Sequence, residues 1–198
     1  MTTDIRPIPP DPAGAYARAL DATRRFVAAI PDGKWEVPTP CTEWDLRALV
    51  NHIVYGTIWI EDIFAGKTLA DVGDKFDGDL LGDDALAAYD ASVASAKAAI
   101  SAPGAMETVC HISRGDVSGA EYATSMFTDV LIHGWDVAKA IGVDATLDPE
   151  LVEVCYSLVE PRKERLRQSP AFGAGNNVEA PEEADLQTKL LAVLGRRA

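Results

Sequence analysis

Helical periodicity in the second half of the chain constrains this sequence more than any other feature. Between Thr128 and Ala140 the chain reads T-D-V-L-I-H-G-W-D-V-A-K-A, with apolar residues at steps of three and four. The apolar positions are Phe127, Val130, Leu131, Val137 and Ala138. This spacing is typical of one face of an α-helix, whereas a half-buried strand alternates strictly. The stretch therefore predicts a helix, which Gly134 weakens by up to about 1 kcal/mol relative to alanine while leaving room beside His133.

The same spacing predicts helices over most of the remaining chain, and prolines and glycines mark their ends. The predicted helices span Ala15–Ile30 with a start near Pro12, Glu43–Ala65 headed by a Thr42/Asp45 capping box, Asp83–Ser101, Ser118–Ile141 closed by Gly142, Asp148–Arg167, and Glu182–Leu194. Residues 66–81 are predicted as a loop and residues 106–118 as a short extended piece with a turn. The predicted fold class is all-α, a four-helix bundle with additional C-terminal helices.

Length limits the number of domains. A chain of 198 residues can bury a substantial core but is too short for two comfortable domains. We therefore predict a single helical-bundle domain over residues 1–198, with a proline-rich arm at 1–12 and a C-terminal loop and short helix, 169–198, packed on the bundle.

Charge and cysteine content limit the cellular compartments and binding partners that can be expected for this protein. The 18 basic and 31 acidic residues give a net charge of −13, which disfavours nucleic acid and anionic membranes as partners. No stretch reaches the roughly 20 apolar residues of a membrane span, and the N-terminus lacks the apolar core of a signal peptide, so a cytoplasmic protein is expected. Cys41, Cys110 and Cys155 form no C-x-x-C pair and are interpreted as buried or idle thiols.

Two histidines and an aspartate are candidate metal ligands. Asp129 and His133 are four residues apart, which places them on one helix face about 6 Å apart at Cβ. His52 shares a stripe of the second helix with apolar residues and is predicted to face inward, where a buried imidazole needs a partner. Taken one at a time, the Asp129/His133 pair and His52 are each explained better by a structural hydrogen bond, because a metal site needs further ligands. His111 is interpreted as surface or pocket rim.

Three candidate ligands on two helices form a combination from which helical bundles build metal sites. The stretch T-P-C-T-E-W-D-L-R-A-L-V-N-H, which ends in His52, and the stretch D-V-L-I-H-G-W-D-V-A around His133 carry a family resemblance, with weaker echoes in the late F-G and L-L-A-V-L-G-R. In the order and separation of these motifs the chain resembles the DinB-like metal-binding helical bundles from about residue 12 to the end. The resemblance is specifically to the actinobacterial group related to mycothiol-dependent maleylpyruvate isomerase.

The resemblance implies a divalent metal, most often zinc or nickel, held by His52, Asp129 and His133. It also implies that the metal holds a low-molecular-weight thiol of the mycothiol type as a thiolate, which attacks an electrophilic carbon. Asp129 is one methylene shorter than the glutamate of the isomerase, a difference expected to alter metal affinity or preference. The roughly 30 residues after the fifth helix are too few for the isomerase's further domain, so we expect a different thiol-dependent reaction.

Four more residues are expected around the ligands. Asp136, one turn beyond His133, is expected to accept a hydrogen bond from a ligand histidine, and an exposed aspartate or a salt bridge is the open alternative. Trp59 and Trp135, together with Trp44, are expected to line the pocket or an interface, although core packing is the commonest fate of such aromatic side chains.

The expected function is that of a divalent-metal-binding protein, a metal-dependent thiol S-transferase or isomerase that acts on a small electrophilic substrate. The alternative is a non-catalytic metal- or small-molecule-binding bundle that serves as a sensor or by sequestration. A plainer third alternative is an interaction protein whose histidines are structural. The expected partner is a small-molecule substrate, and homodimerisation is left open.

Overall fold

The computed structural model describes residues 7–168 and 178–198 and divides the chain into two compact units. Residues 10–145 form the larger unit, and residues 146–198 together with the first nine form the smaller. Half of the predicted arm at 1–12 and most of the loop that begins at residue 169 lie outside the described residues, at 1–6 and 169–177. The single domain over residues 1–198 stays a prediction.

The larger unit is helical, which confirms the all-α prediction. Its helices are α1 (Pro12–Ala28), α2 (Leu46–Phe64), α3 (Leu69–Val72), α4 (Ala85–Ile100) and α5 (Gly119–Ile141). One antiparallel hairpin, β1 (Val109–Ile112) and β2 (Gly115–Ser118), precedes α5 and pairs Val109 with Ser118 and Ile112 with Gly115. In the described part of the chain no helix is both long and apolar enough to cross a membrane.

Side-chain caps decide where the helices begin. Ser118 and Glu121 form a reciprocal capping box at the start of α5, and Gly142 closes that helix in the left-handed conformation, φ 76°. The predicted Thr42/Asp45 box is wrong: Asp45 itself is the N-cap of α2, and its carboxylate accepts from the N–H of Ala48 at 2.8 Å. The start of α2 shifts because residues 37–45 are tied into a turn, with Pro38 bridged to Asp45.

The smaller unit differs most from its prediction. The helix predicted over Asp148–Arg167 is broken into α6 (Pro149–Val159), a 3₁₀ turn (Glu160–Arg162) and α7 (Lys163–Leu166). Pro161 explains the break, because proline has no N–H to donate and its ring clashes with the preceding turn. The last helix, α8 (Leu186–Val193), starts later than predicted because Asp185 caps it. The loop predicted at 66–81 contains the short helix α3, and the extended piece predicted near residue 110 is one strand of the hairpin.

A close contact between α1 and α5 fixes the position of the site-bearing helix. Gly134 of α5 faces Thr23 of α1, and a Cβ added at Gly134 would lie 2.3 Å from the Thr23 hydroxyl oxygen. That hydroxyl is buried and donates to the carbonyl of Val130 at 3.1 Å. The sequence predicts that Gly134 leaves room beside His133. In the structure α1 fills that room, and the glycine allows the backbones of α1 and α5 to approach each other.

We expect Gly134→Ala to destabilise the protein by about 1–3 kcal/mol, because the overpacking against Thr23 exceeds the gain in helix propensity. Gly56→Ala in α2 is the matched control, since its added Cβ meets only the flexible end of Met126 at 3.0 Å. Urea unfolding of both variants measures the difference. A Gly134→Ala variant as stable as Gly56→Ala would contradict this account of the helix contact.

Candidate metal centre

The three predicted ligands come together between α2 and α5. The Nε2 atom of His52 lies 3.5 Å from Oδ2 of Asp129, and Nε2 of His133 lies 3.5 Å from Oδ1 of the same carboxylate. The two imidazole rings meet edge to face with centroids 5.0 Å apart. One carboxylate thus bridges two ring nitrogens that belong to different helices, at separations longer than ordinary N–H···O hydrogen bonds.

The Nε2 atom of His52 is a buried polar atom without a hydrogen-bond partner among the described residues. The ring carrying it is held in place, because the indole of Trp44 packs on it with centroids 4.4 Å apart. Leaving a buried polar atom unsatisfied costs about 1–3 kcal/mol, so such an atom in a folded protein requires an explanation. A ligand that accepts its lone pair supplies one.

The spacing of the three donor atoms fits a divalent ion. Zinc binds histidine nitrogen and carboxylate oxygen at about 2.0–2.2 Å, so ligand atoms around a tetrahedral ion lie about 3.3–3.5 Å apart. The two separations of 3.5 Å have that length but run to the two different oxygens of Asp129, and one ligand atom from each of the three residues lies within 4.8 Å of the others. Two histidines and one carboxylate leave a coordination position open, the arrangement of catalytic rather than structural zinc sites.

Asp136 stands behind His133 on the face away from Asp129. Its Oδ2 lies 3.0 Å from Nδ1 of His133, and the residue is fully buried. Donation from Nδ1–H to this carboxylate directs the lone pair of a neutral His133 to Nε2, toward Asp129 and His52. The position is the one predicted for Asp136, and its role behind a metal ligand stays a prediction.

Cys41 is the site residue that sequence reasoning missed. Its thiol donates to Oδ2 of Asp136 at 3.2 Å and lies 3.7 Å from Nδ1 of His133. Cys110 and Cys155 are buried, both 0% exposed, as predicted, whereas Cys41 is half-buried and its thiol contacts Asp136. Burial also raises the pKa of Cys110 to about 11.

The turn of residues 39–45, here called the Thr39 loop, places Cys41 and Trp44 on the site. The hydroxyl of Thr39 donates to the carbonyl of Trp44 at 2.8 Å and accepts from the N–H of Cys41 at 3.1 Å. The N–H of Trp44 in turn donates to the carbonyl of Cys41 at 2.8 Å. Two prolines near the cysteine in P-T-P-C-T-E-W signal a turn, but the sequence pattern does not show that it folds back onto α5.

The other predicted pocket residues lie elsewhere in the unit. The Trp59 ring contacts Tyr55 and Phe76, with centroids 5.7 and 5.9 Å away, two helical turns beyond His52. Trp135 is 2% exposed in the core. Their pocket role stays a prediction. His111 lies on β1, where its Nδ1 is 2.7 Å from Oδ1 of Asp116, and its side chain is 35% exposed, in agreement with a surface position.

The attraction between Asp129 and His133 sets the net direction of both pKa shifts, although burial alone would shift each pKa the other way. Burial raises the pKa of Asp129, but the charge and polar contacts of His133 and His52 hold that pKa well below its usual range. Burial lowers the pKa of His133, but Asp129, Asp136 and Cys41 together raise it well above its usual value. The raised pKa favours the protonated form of His133 in the metal-free protein, so a divalent cation at Nε2 would compete with a proton for that atom.

The family match defines the class of this helical bundle, in which two histidines and a carboxylate come together from two facing helices, as DinB-like. The sequence matches the family described as "Mycothiol maleylpyruvate isomerase N-terminal domain" over residues 16–138, more than half of the chain. The chain belongs to this family, which confirms the resemblance carried by the His52 and His133 motifs.

Two similar proteins are known from Mycobacterium tuberculosis, strains CDC 1551 / Oshkosh and ATCC 25618 / H37Rv, and both carry the name "uncharacterized protein". Each is 31% identical to this chain over 190 residues, which covers 94% of this chain and 98% of the relative. No solved structure matches the chain.

The raised pKa of His133 predicts a pH-dependent contribution to stability in the metal-free protein. A pKa above the unfolded value of about 6.5 means that the contribution is complete below that pH and is lost as the pH rises through the folded pKa. We therefore expect Asp129→Asn to be less stable than the wild type at pH 6, by a difference that narrows toward pH 9. Urea unfolding in the presence of a chelator measures it.

Asp116→Asn is the matched control for this measurement, because it breaks an Asp/His pair that is exposed at His111. Exposed pairs contribute only about 0–1 kcal/mol. A cost of Asp129→Asn that stays constant between the two pH values would contradict the assignment of a charged His133.

Proposed function

We propose that this protein is a metal-dependent enzyme that uses a low-molecular-weight thiol of the mycothiol type to attack a small electrophilic substrate, as an S-transferase or isomerase. His52, Asp129 and His133 hold the divalent ion. The observation that carries the proposal is the buried Nε2 of His52, which has no hydrogen-bond partner among the described residues and lies 3.5 Å from the Asp129 carboxylate. Membership of a family described by mycothiol and maleylpyruvate isomerase supports the thiol.

The three ligand side chains differ in how deeply they are buried, and this difference indicates the role of each. His133 is the deepest ligand, with 6% of its side chain exposed, and Asp136 fixes its ring from behind. Asp129 and His52 are more open, with 29% and 33% of their side chains exposed, so substrates approach from their side. The ion, when bound, supplies Lewis acidity that keeps a coordinated thiol deprotonated at neutral pH. The ring of Trp44 packs on the ring of His52 and fixes its orientation.

The donor set favours zinc or nickel. Imidazole nitrogens suit both ions, whereas magnesium and calcium prefer all-oxygen sites. Only one of the three ligands is a carboxylate, so a divalent ion held there would keep a net positive charge. That charge would stabilise a bound thiolate.

The first test is metal content together with stability. We expect about one equivalent of zinc or nickel per chain in wild type and little in His52→Ala or His133→Ala, because each variant removes a ligand. His111→Ala is the matched control, since it removes the histidine outside the triad and should retain the metal. At a hundredfold excess over Kd the ion should stabilise the wild type by about 2.7 kcal/mol. Elemental analysis and thermal unfolding measure both, and absence of metal after reconstitution would refute the site.

The second test separates an enzyme from a binding protein. Incubation of the metal-loaded protein with mycothiol and a panel of electrophiles should either consume thiol, as an S-transferase does, or convert the electrophile to an isomer only when thiol is present. Either reaction should stop in His52→Ala and continue in His111→Ala. One equivalent of bound metal with neither reaction on any electrophile would instead favour the alternative, a non-catalytic metal- or small-molecule-binding bundle. Thiol titration and mass spectrometry of the products provide the readout.

A further inference from the structure

The imidazole of His133 faces a second group of donors on its other ring nitrogen. The Nδ1 atom lies 3.0 Å from Oδ2 of Asp136 and 3.7 Å from Sγ of Cys41. The Sγ of Cys41 and the Oδ2 of Asp136 are 3.2 Å apart. One ligand atom from each of these residues lies within 4.8 Å of the others. His133 therefore belongs to two donor clusters, one on each side of its ring.

The geometry of the second cluster can accommodate a metal ion in place of the protons on Cys41 and His133. For tetrahedral zinc, with sulfur at about 2.3 Å and nitrogen or oxygen at about 2.0–2.2 Å, ligand atoms lie about 3.3–3.6 Å apart. The three separations of 3.0, 3.2 and 3.7 Å reach that range with shifts of a few tenths of an ångström. An ion there would replace the thiol proton of Cys41 and the Nδ1 proton of His133.

The donors select thiophilic ions. A thiolate favours soft cations such as cadmium, whereas the His52/Asp129/His133 triad offers only nitrogen and oxygen, which suit nickel and zinc. Cys41 is half-buried and therefore opens a route to the cluster, while Asp136 and His133 close its far side at 0% and 5% exposure. The other two cysteines are 0% exposed and do not compete.

We propose that Cys41, His133 through Nδ1, and Asp136 form a second metal site, selective for thiophilic divalent cations, whose occupation excludes an ion from the triad. A neutral imidazole has one lone pair, so an ion at Nδ1 leaves the proton on Nε2 and withdraws His133 from Asp129 and His52. Thiophilic cations thereby inhibit the triad instead of filling it. The binding of the cation stands on the cluster alone, and the exclusion rests on the proposed function.

Cadmium is the probe for the site. We expect Cd²⁺, titrated into metal-free protein kept reduced with a phosphine, to produce an ultraviolet sulfur-to-metal charge-transfer band that saturates at one equivalent. The band should be lost in Cys41→Ser, which keeps a donor to Asp136 and therefore folds, and should persist in the control Cys110→Ala. No band in wild type, or a band unchanged in Cys41→Ser, would overturn the site.

A second arm separates the two clusters. His52→Ala should retain the cadmium band, because His52 belongs only to the triad; loss of the band there would place the cadmium on the triad and overturn the proposal. Nickel added to cadmium-loaded wild type should leave the total metal at one ion per chain after desalting, whereas two ions per chain would overturn the exclusion. A protein that shows the cadmium band but takes up neither nickel nor zinc would retain this site while refuting the proposed function.

Discussion

One imidazole held between two carboxylates is the interaction on which the site depends. His133 meets Asp129 at Nε2 and Asp136 at Nδ1, with separations of 3.5 and 3.0 Å. Because the ring is almost fully buried, both carboxylates act on it with little screening by water. The neighbouring backbone is equally constrained, since Gly134 lies against Thr23 of α1. The ring therefore cannot shift without moving a helix, and the donor atoms on both of its sides are preorganised.

Much of this arrangement is predictable from sequence because it is local. Helical spacing places Asp129 and Asp136 on either side of His133 in α5, and an inward stripe on α2 identifies His52 as the third partner. The capping box at Ser118 and the left-handed Gly142 follow from equally short-range rules. Fold class, the helix carrying two of the candidate ligands and the pairing of that helix with α2 were therefore accessible before the structure.

The features that escaped prediction depend on contacts between residues far apart in the chain. Cys41 and Asp136 are 95 positions apart, and no periodicity links them. The contact partner of Gly134, Thr23, is likewise on a different helix, so a pattern shows only that a small residue is present. The break at Pro161 is different, because the proline is a local signal within the predicted helix Asp148–Arg167 and was not used in predicting that helix.

The Thr39 loop has a consequence for how such a site can change in evolution. A single hydroxyl, that of Thr39, contacts the backbone of both Cys41 and Trp44, and the loop ends at Asp45, the residue that caps α2. A substitution that rebuilds this turn moves a thiol, an aromatic ring and a helix terminus together. A change in the sequence of this loop therefore alters all three features at once, so that variation in this part of the site is coupled across the seven residues.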